Sequence, residues 1–210
     1  MTNQKQRVLV AGANGTTGQH IINLLKQSSI YEPIAMVRKE DQKKTFENNE
    51  VKAVLADLEE EVSHALVGIN KVIFAAGSKG KNVIGVDQEG AKKLMTAGKK
   101  EGITKYVMLS SMGADDPSKA ENLQDYLKAK QNADHFLKDS GLSYTIVRPG
   151  KLTDDDKKDK IKLDNKLNER GEITRADVAK TLVEVLDDSI LLNQTVEILN
   201  GEELIIEAVK

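Results

Sequence analysis

Short apolar runs that alternate with longer amphipathic stretches set the fold class of this chain. "RVLVAG" (7–12) reads as a buried strand, and "TTGQHIINLLKQ" (16–27) follows with Ile21, Ile22, Leu24 and Leu25 at helical spacing. Further strands are expected at "PIAMV" (33–37), "VKAVLAD" (51–57), "KVIFAAG" (71–77), "TKYVMLSS" (104–111) and "SYTIVRPG" (143–150). Helices are expected at "DQEGAKKLMTAGKKEG", stopped near Gly102, and at "NLQDYLKAKQNADHFLKDSG", stopped at Gly141. Strand–helix alternation of this kind calls for parallel strands joined by right-handed crossovers. The expected fold is therefore an α/β doubly wound parallel sheet with helices on both faces. Ligands of such sheets bind in the crevice outside the carboxyl ends of the strands.

Beyond Gly150 the pattern weakens. "KLTDDDKKDKIKLDNKLNERGE" is charged, and "DDDKKDK" within it reads as a solvated loop. "TRADVAKTLVEVLDD" is expected to be a helix capped by Thr174, with late strands at "QTVEILN" and "ELIIEAV". The 210 residues are expected to form one domain, with a small substrate-side segment at about 151–173 as a short C-terminal appendage.

Composition narrows the function. The chain has no Cys, so disulfides, thiolate metal sites and cysteine nucleophiles are excluded. Its three histidines, His20, His64 and His135, are far apart and make no metal-ligand motif. Net charge is −2 with the signs interspersed, which gives no reason to expect attraction to nucleic acid or to anionic lipid. No apolar run is long enough to span a bilayer and no signal peptide is evident. A soluble cytoplasmic protein acting on a small molecule, as a monomer or homodimer, is the expectation.

"GANGTTG" follows the first strand and opens the first helix, and it spaces Gly12, Gly15 and Gly18 as G-x-x-G-x-x-G. In that position the glycines read as a dinucleotide-binding turn, with Asn14 inside it. Gly12 permits the turn, Gly15 lets a pyrophosphate approach the backbone, and Gly18 lets the helix pack closely. The amides of Thr16 and Thr17 then lie at a helix N-terminus, where unpaired N–H groups and the dipole favour an anion. The second strand ends at Arg38, where NAD-binding sites usually place an acid. A guanidinium there can hold a 2′-phosphate, so NADP is favoured and NAD remains possible. Asp57 ends the third strand and suits either an adenine amino group, with Leu58 beside the ring, or a helix cap before "LEEEVSHAL". Ala75, Ala76 and Gly77 end the fourth strand with side chains small enough for a cofactor to cross the sheet edge.

Tyr126 and Lys130 are four residues apart and share one helical face. A nearby ammonium favours the phenolate, and a tyrosine that titrates nearer neutrality is a better general acid or base. The alternative is that Tyr126 opens the apolar stripe continued by Ala129, Ala133, Phe136 and Leu137. Ser110 and Ser111 follow the fifth strand, on the side where a crevice is expected.

The pieces "GANGTTG", "VRKE", "ADL", "FAAG", "VDQEGAKKLMTAGKKEGITKYVMLSS", "YLKAKQNADHFLKDSGLSYTIVRPG" and "ITRADVA" together resemble an atypical short-chain dehydrogenase/reductase, of the NAD(P)-binding group related to sugar-nucleotide epimerases and NmrA-type flavin reductases. The resemblance implies a nicotinamide near Arg148, Pro149 and Gly150. It also implies a trio of Ser110 or Ser111, Tyr126 and Lys130. In that family mechanism the tyrosine exchanges a proton with substrate, the lysine lowers the tyrosine pKa and binds the nicotinamide ribose, and the serine polarises the substrate oxygen. The segment after Gly150 is much shorter than the substrate lobe of the epimerases. Some relatives of this type are redox sensors, and others reduce flavins, biliverdin or quinones.

Overall fold

Residues 4–78, 80–120 and 122–210 are described by the computed structural model. The first crossover runs from β1 (Gln6–Ala11) through α1 (Thr16–Gln27) to β2 (Tyr31–Val37). It continues through α2 (Glu40–Asn48) to β3 (Lys52–Leu55) and returns to the sheet centre with β4 (Lys71–Phe74). A π-helical turn (Val83–Gly90) leads directly into α3 (Ala91–Glu101) and β5 (Lys105–Leu109). Then come α4 (Gln124–Asp139), β6 (Tyr144–Pro149), β7 (Lys151–Thr153), β8 (Lys160–Asp164), β9 (Glu172–Thr174), α5 (Arg175–Glu184), β10 (Gln194–Asn200), β11 (Glu203–Leu204) and α6 (Ile205–Ala208).

Nine strands form one sheet in the order β11-β8-β10-β6-β5-β4-β1-β2-β3. From β10 to β3 every pairing is parallel. The order reverses direction between β1 and β4, and sheets of this kind bind ligands outside the carboxyl ends of the strands at such a point. The central strands are apolar on both faces, because each face is covered. Ile21, Ile22 and Leu25 of α1 pack with Val178 and Leu182 of α5 on one side. Leu94 and Met95 of α3 pack with Ala133 and Leu137 of α4 on the other.

Local chemistry sets the helix ends. Gly102 adopts φ 74° after α3, and the N–H of Ile103 donates to Gly98 O at 3.1 Å. That left-handed residue satisfies carbonyls the helix leaves open. At the start of α5, Thr174 Oγ1 accepts from the N–H of Asp177 at 3.0 Å, as its cap role requires. Buried Asp177 in turn accepts from the backbone N–H groups of Lys158 and Asp159, so the same cap pins the charged 154–159 loop.

Three expectations need correction. "ELIIEAV" is not a strand: only Glu203 and Leu204 pair with β8, and α6 follows, because Ile205 and Val209 turn inward one helical turn apart. The span after Gly150 is more ordered than its charge suggests. β8 joins the main sheet antiparallel to β10, and β7 and β9 form a separate parallel pair. "LEEEVSHAL" holds a 3₁₀ turn, Ser63–Leu66, rather than a helix beginning at Asp57, whose Oδ1 closes a local turn by accepting from Glu59 N. The sequence reading also passed over α2, which buries Phe46 and otherwise shows no apolar stripe.

Candidate active site

The glycine turn is a backbone cradle. Gly12 has φ 91°, and a Cβ on it would stand 2.6 Å from Ala76 N and 2.7 Å from the Ala75 carbonyl. β1 and the segment after β4 therefore close on each other, with Ala75 N donating to Ala11 O at 2.9 Å. A Cβ on Gly18 would fall 2.1 Å from Gly12 O, so α1 can approach the turn only with glycine there. Gly15 is the N-cap residue of α1 and offers no side-chain cap, which leaves the first-turn amides, among them those of Thr16 and Thr17, open to an external anion. Asn14 and Thr16 are exposed and Thr17 is buried. A phosphate-bearing dinucleotide fits this cradle: close backbone approach and an uncapped helix end are what a pyrophosphate needs.

The other expected cofactor residues line the neighbouring strand ends. Arg38 follows β2, is exposed, and has no ion-pair partner among the described residues. Asp57 is half-buried beyond β3, while Leu58 is buried against Gly90 of the π-helical turn. Ala75 is half-buried, Ala76 buried and Gly77 exposed after β4. Beyond β6, Pro149 is buried and its carbonyl accepts from Met112 N at 3.0 Å. Gly150 passes so close to β10 and the β9 side that a Cβ would meet Leu199 at 2.4 Å and Gly171 O at 2.5 Å.

Behind these strand ends α4 presents Tyr126, Lys130 and Asp134, one turn apart on one face. Lys130 is 3% exposed. Its Nζ lies 3.3 Å from Leu109 O, 5.6 Å from the centre of the Tyr126 ring and 6.0 Å from that of Phe74. Tyr126 is half-buried and its hydroxyl makes no hydrogen bond among the described residues. The two serines separate. Ser110 is buried and donates to Asp134 Oδ2 at 2.9 Å, whereas Ser111 is half-buried and donates to its neighbour Met112 O at 3.2 Å.

Two charged side chains of this cluster, Asp134 and Asp87, were not singled out from the sequence, and Arg148 was expected only beside the nicotinamide. Asp134 Oδ2 also accepts from Arg148 Nε at 3.0 Å and Nη2 at 2.8 Å, an ion pair buried on both sides. Burial pushes the Asp134 carboxyl up, against the pull of Arg148 and Ser110. Wholly buried Asp87, from the π-helical turn, stands 3.5 Å from Lys130 Nζ. Extending the four-residue step from Tyr126 and Lys130 reaches Asp134, so that residue was visible. The inward turn of Asp87 depends on a non-α register that periodicity does not signal.

Comparison with known proteins agrees with this geometry. Residues 12–189 match the family described as NAD(P)H-binding. YhfK of Bacillus subtilis (strain 168), described as an uncharacterized sugar epimerase, is 38% identical over 97% of this chain and 99% of its own. A Bacillus halodurans structure, described as a candidate NAD-dependent epimerase/dehydratase, superposes with a TM-score of 0.93 at 40% identity, covering 97% of this chain and 98% of its own. The oxidoreductase ylbE from Lactococcus lactis superposes with a TM-score of 0.87 at 32% identity, covering 97% and 95%. With its glycine cradle inside the matched span, the chain belongs to the NAD(P)H-binding family, of the atypical short-chain dehydrogenase/reductase type.

Proposed function

We propose that the protein is an NADPH-preferring oxidoreductase that reduces a small carbonyl, quinone-like or flavin-like substrate. The observation that carries this reading is buried Lys130 beside the Tyr126 ring at the carboxyl end of β5. When bound, the dinucleotide supplies hydride to the substrate. The chain's own residues do the rest. The turn at Gly12, Gly15 and Gly18, with the amides of Thr16 and Thr17, holds the pyrophosphate. Arg38, free of an internal partner among the described residues, holds a 2′-phosphate. Asp57 accepts from the adenine amino group. Lys130 binds the nicotinamide ribose and orients Tyr126, which donates a proton to the reduced oxygen. Of the two serines, Ser111 is the better donor to that oxygen, because Ser110 is committed to Asp134.

The short 151–173 segment favours a small substrate over a nucleotide sugar. A second reading is a dinucleotide sensor without turnover, which would use the glycine turn and Arg38 but would not need Tyr126. Spectrophotometric screening of NADPH oxidation against quinones, flavins and aldehydes separates the two. Turnover on one of these classes is expected, and tight NADPH binding with none of them consumed would favour the sensor.

A further inference from the structure

We infer that Asp87 is the positioning residue of Lys130. It supplies the counter-charge that holds the ammonium in place and ties it to the segment following β4. The inference rests on Lys130 being a dinucleotide ligand, the reading given above.

Asp87 sits where hydrophobic partition would not put it. The π-helical turn Val83–Gly90 leaves Ile84 56% exposed and buries Asp87 completely. An apolar side chain turned out and an acid turned in reverse the usual order. A buried carboxylate costs several kcal/mol unless it is paired, so this register needs a compensating partner. π-turns commonly mark functional positions, since the wider turn re-aims a side chain that an α-helix would point elsewhere.

The carboxylate divides its work. Oδ2 accepts from the backbone N–H of Ser78 at 3.0 Å, in the segment after β4 that borders the glycine turn. Oδ1 faces Lys130 Nζ at 3.5 Å as an ion pair and takes no hydrogen bond among the described residues. A Cβ on Gly77 would lie 3.3 Å from Oδ1, so the same oxygen lies against the expected cofactor segment. Asp134 lies one helical turn from Lys130; its Oδ2 is taken by Arg148 and Ser110, and its Oδ1 takes no hydrogen bond among the described residues. Asp87 is the carboxylate that stands within ion-pair distance of the ammonium, so it is the nearer counter-charge. An ammonium has three donors. One donates to Leu109 O, which leaves two to share between Asp87 and a ligand.

The test is a double-mutant cycle on Asp87→Asn and Lys130→Met, read by NADPH fluorescence titration and by thermal melting without cofactor. With Lys130 present, Asp87→Asn should weaken NADPH binding about tenfold, as loss of one partner of a buried pair does. In the Lys130→Met background it should change affinity less than about twofold. Melting should fall for Asp87→Asn alone and recover in the double variant, because the stranded ammonium is then gone. If Asp87→Asn does not fold, a folded double variant gives the same result. Equal loss of affinity in both backgrounds, or additive losses in melting, would mean that Asp87 merely packs its own segment, and the inference is overturned. If the unaltered protein binds no NADPH, the functional reading fails by itself, and the melting cycle alone decides the pairing.

Discussion

Arg38 is the residue on which the proposed preference for NADP rests. It stands exposed beyond β2, in the place where a ribose-binding acid would favour NAD. Arg38→Asp should weaken NADP binding much more than NAD binding in parallel titrations, and equal losses would refute a contact to the 2′-phosphate. In the proposed reaction Tyr126 is the proton donor. Tyr126→Phe should leave NADPH affinity nearly unchanged and cut turnover roughly a hundredfold, the scale of general acid catalysis. Unaltered turnover would remove the phenol from the mechanism. Residue types and spacing were enough to put Tyr126 and Lys130 on one helix face and Arg38 just beyond a strand, because each sits in a fixed place relative to a strand end. They were not enough to divide Ser110 from Ser111. Adjacent residues at a strand end face opposite ways, and only the position of Asp134 across the gap shows which hydroxyl is already engaged.

At the scale of elements, the cradle depends on α1 approaching the glycine turn. Gly18→Ala would place a methyl 2.1 Å from Gly12 O, a backbone atom that cannot rotate aside. The expected result is a lower melting temperature together with loss of measurable NADPH binding. Wild-type affinity in that variant would show that the turn tolerates a wider helix and would weaken the case for a tight cradle. The parallel strands and their helices were legible because hydrophobic runs and glycine stops are local signals. β7, β8 and β9 were not. Their pairing partners are each other, β10 and β11, and alternating charged residues on half-exposed strands resemble a loop until those partners are known. The cap at Thr174 was legible, but the hold that Asp177 exerts on Lys158 and Asp159 was not, since it joins residues far apart in the chain.

Across the whole molecule, the two ends of the sheet are furnished differently. The carboxyl ends of the strands carry the glycine turn and the Lys130 cluster. At the amino ends, Lys71 and Lys105 are buried under the turn that follows α5. Lys71 Nζ donates to Leu186 O at 2.8 Å and pairs with Asp188, and Lys105 Nζ donates to Asp187 O and Ile190 O. Burial first, and then the Lys71 ammonium, hold Lys105 down to about 8. An unfolded lysine titrates near 10.4, so between those values the unfolded chain binds a proton that the folded chain does not, and stability rises with pH. Tyr31 has the opposite sign. Burial, aided by Asp187, Asp188 and Glu184, pushes it up to about 12, so stability falls above about pH 10, where an unfolded tyrosine ionises. Melting temperature should climb from about pH 8 to about pH 10 and then turn down, and Lys105→Met should flatten the climb. A flat profile in the unaltered protein would contradict the buried ammonium.

The packing of α1 on α5 carries a cost during synthesis. Ile21, Ile22 and Leu25 leave the ribosome well before the surface that covers them, Val178 and Leu182, is made. Most of the chain must therefore wait with an apolar helix face bare and two lysines without their carbonyl partners. Such nascent intermediates are aggregation-prone. Chains stopped short of α5 should be degraded or held by chaperones rather than accumulate as a smaller folded dinucleotide binder, even though they would contain the glycine turn, Tyr126 and Lys130 intact.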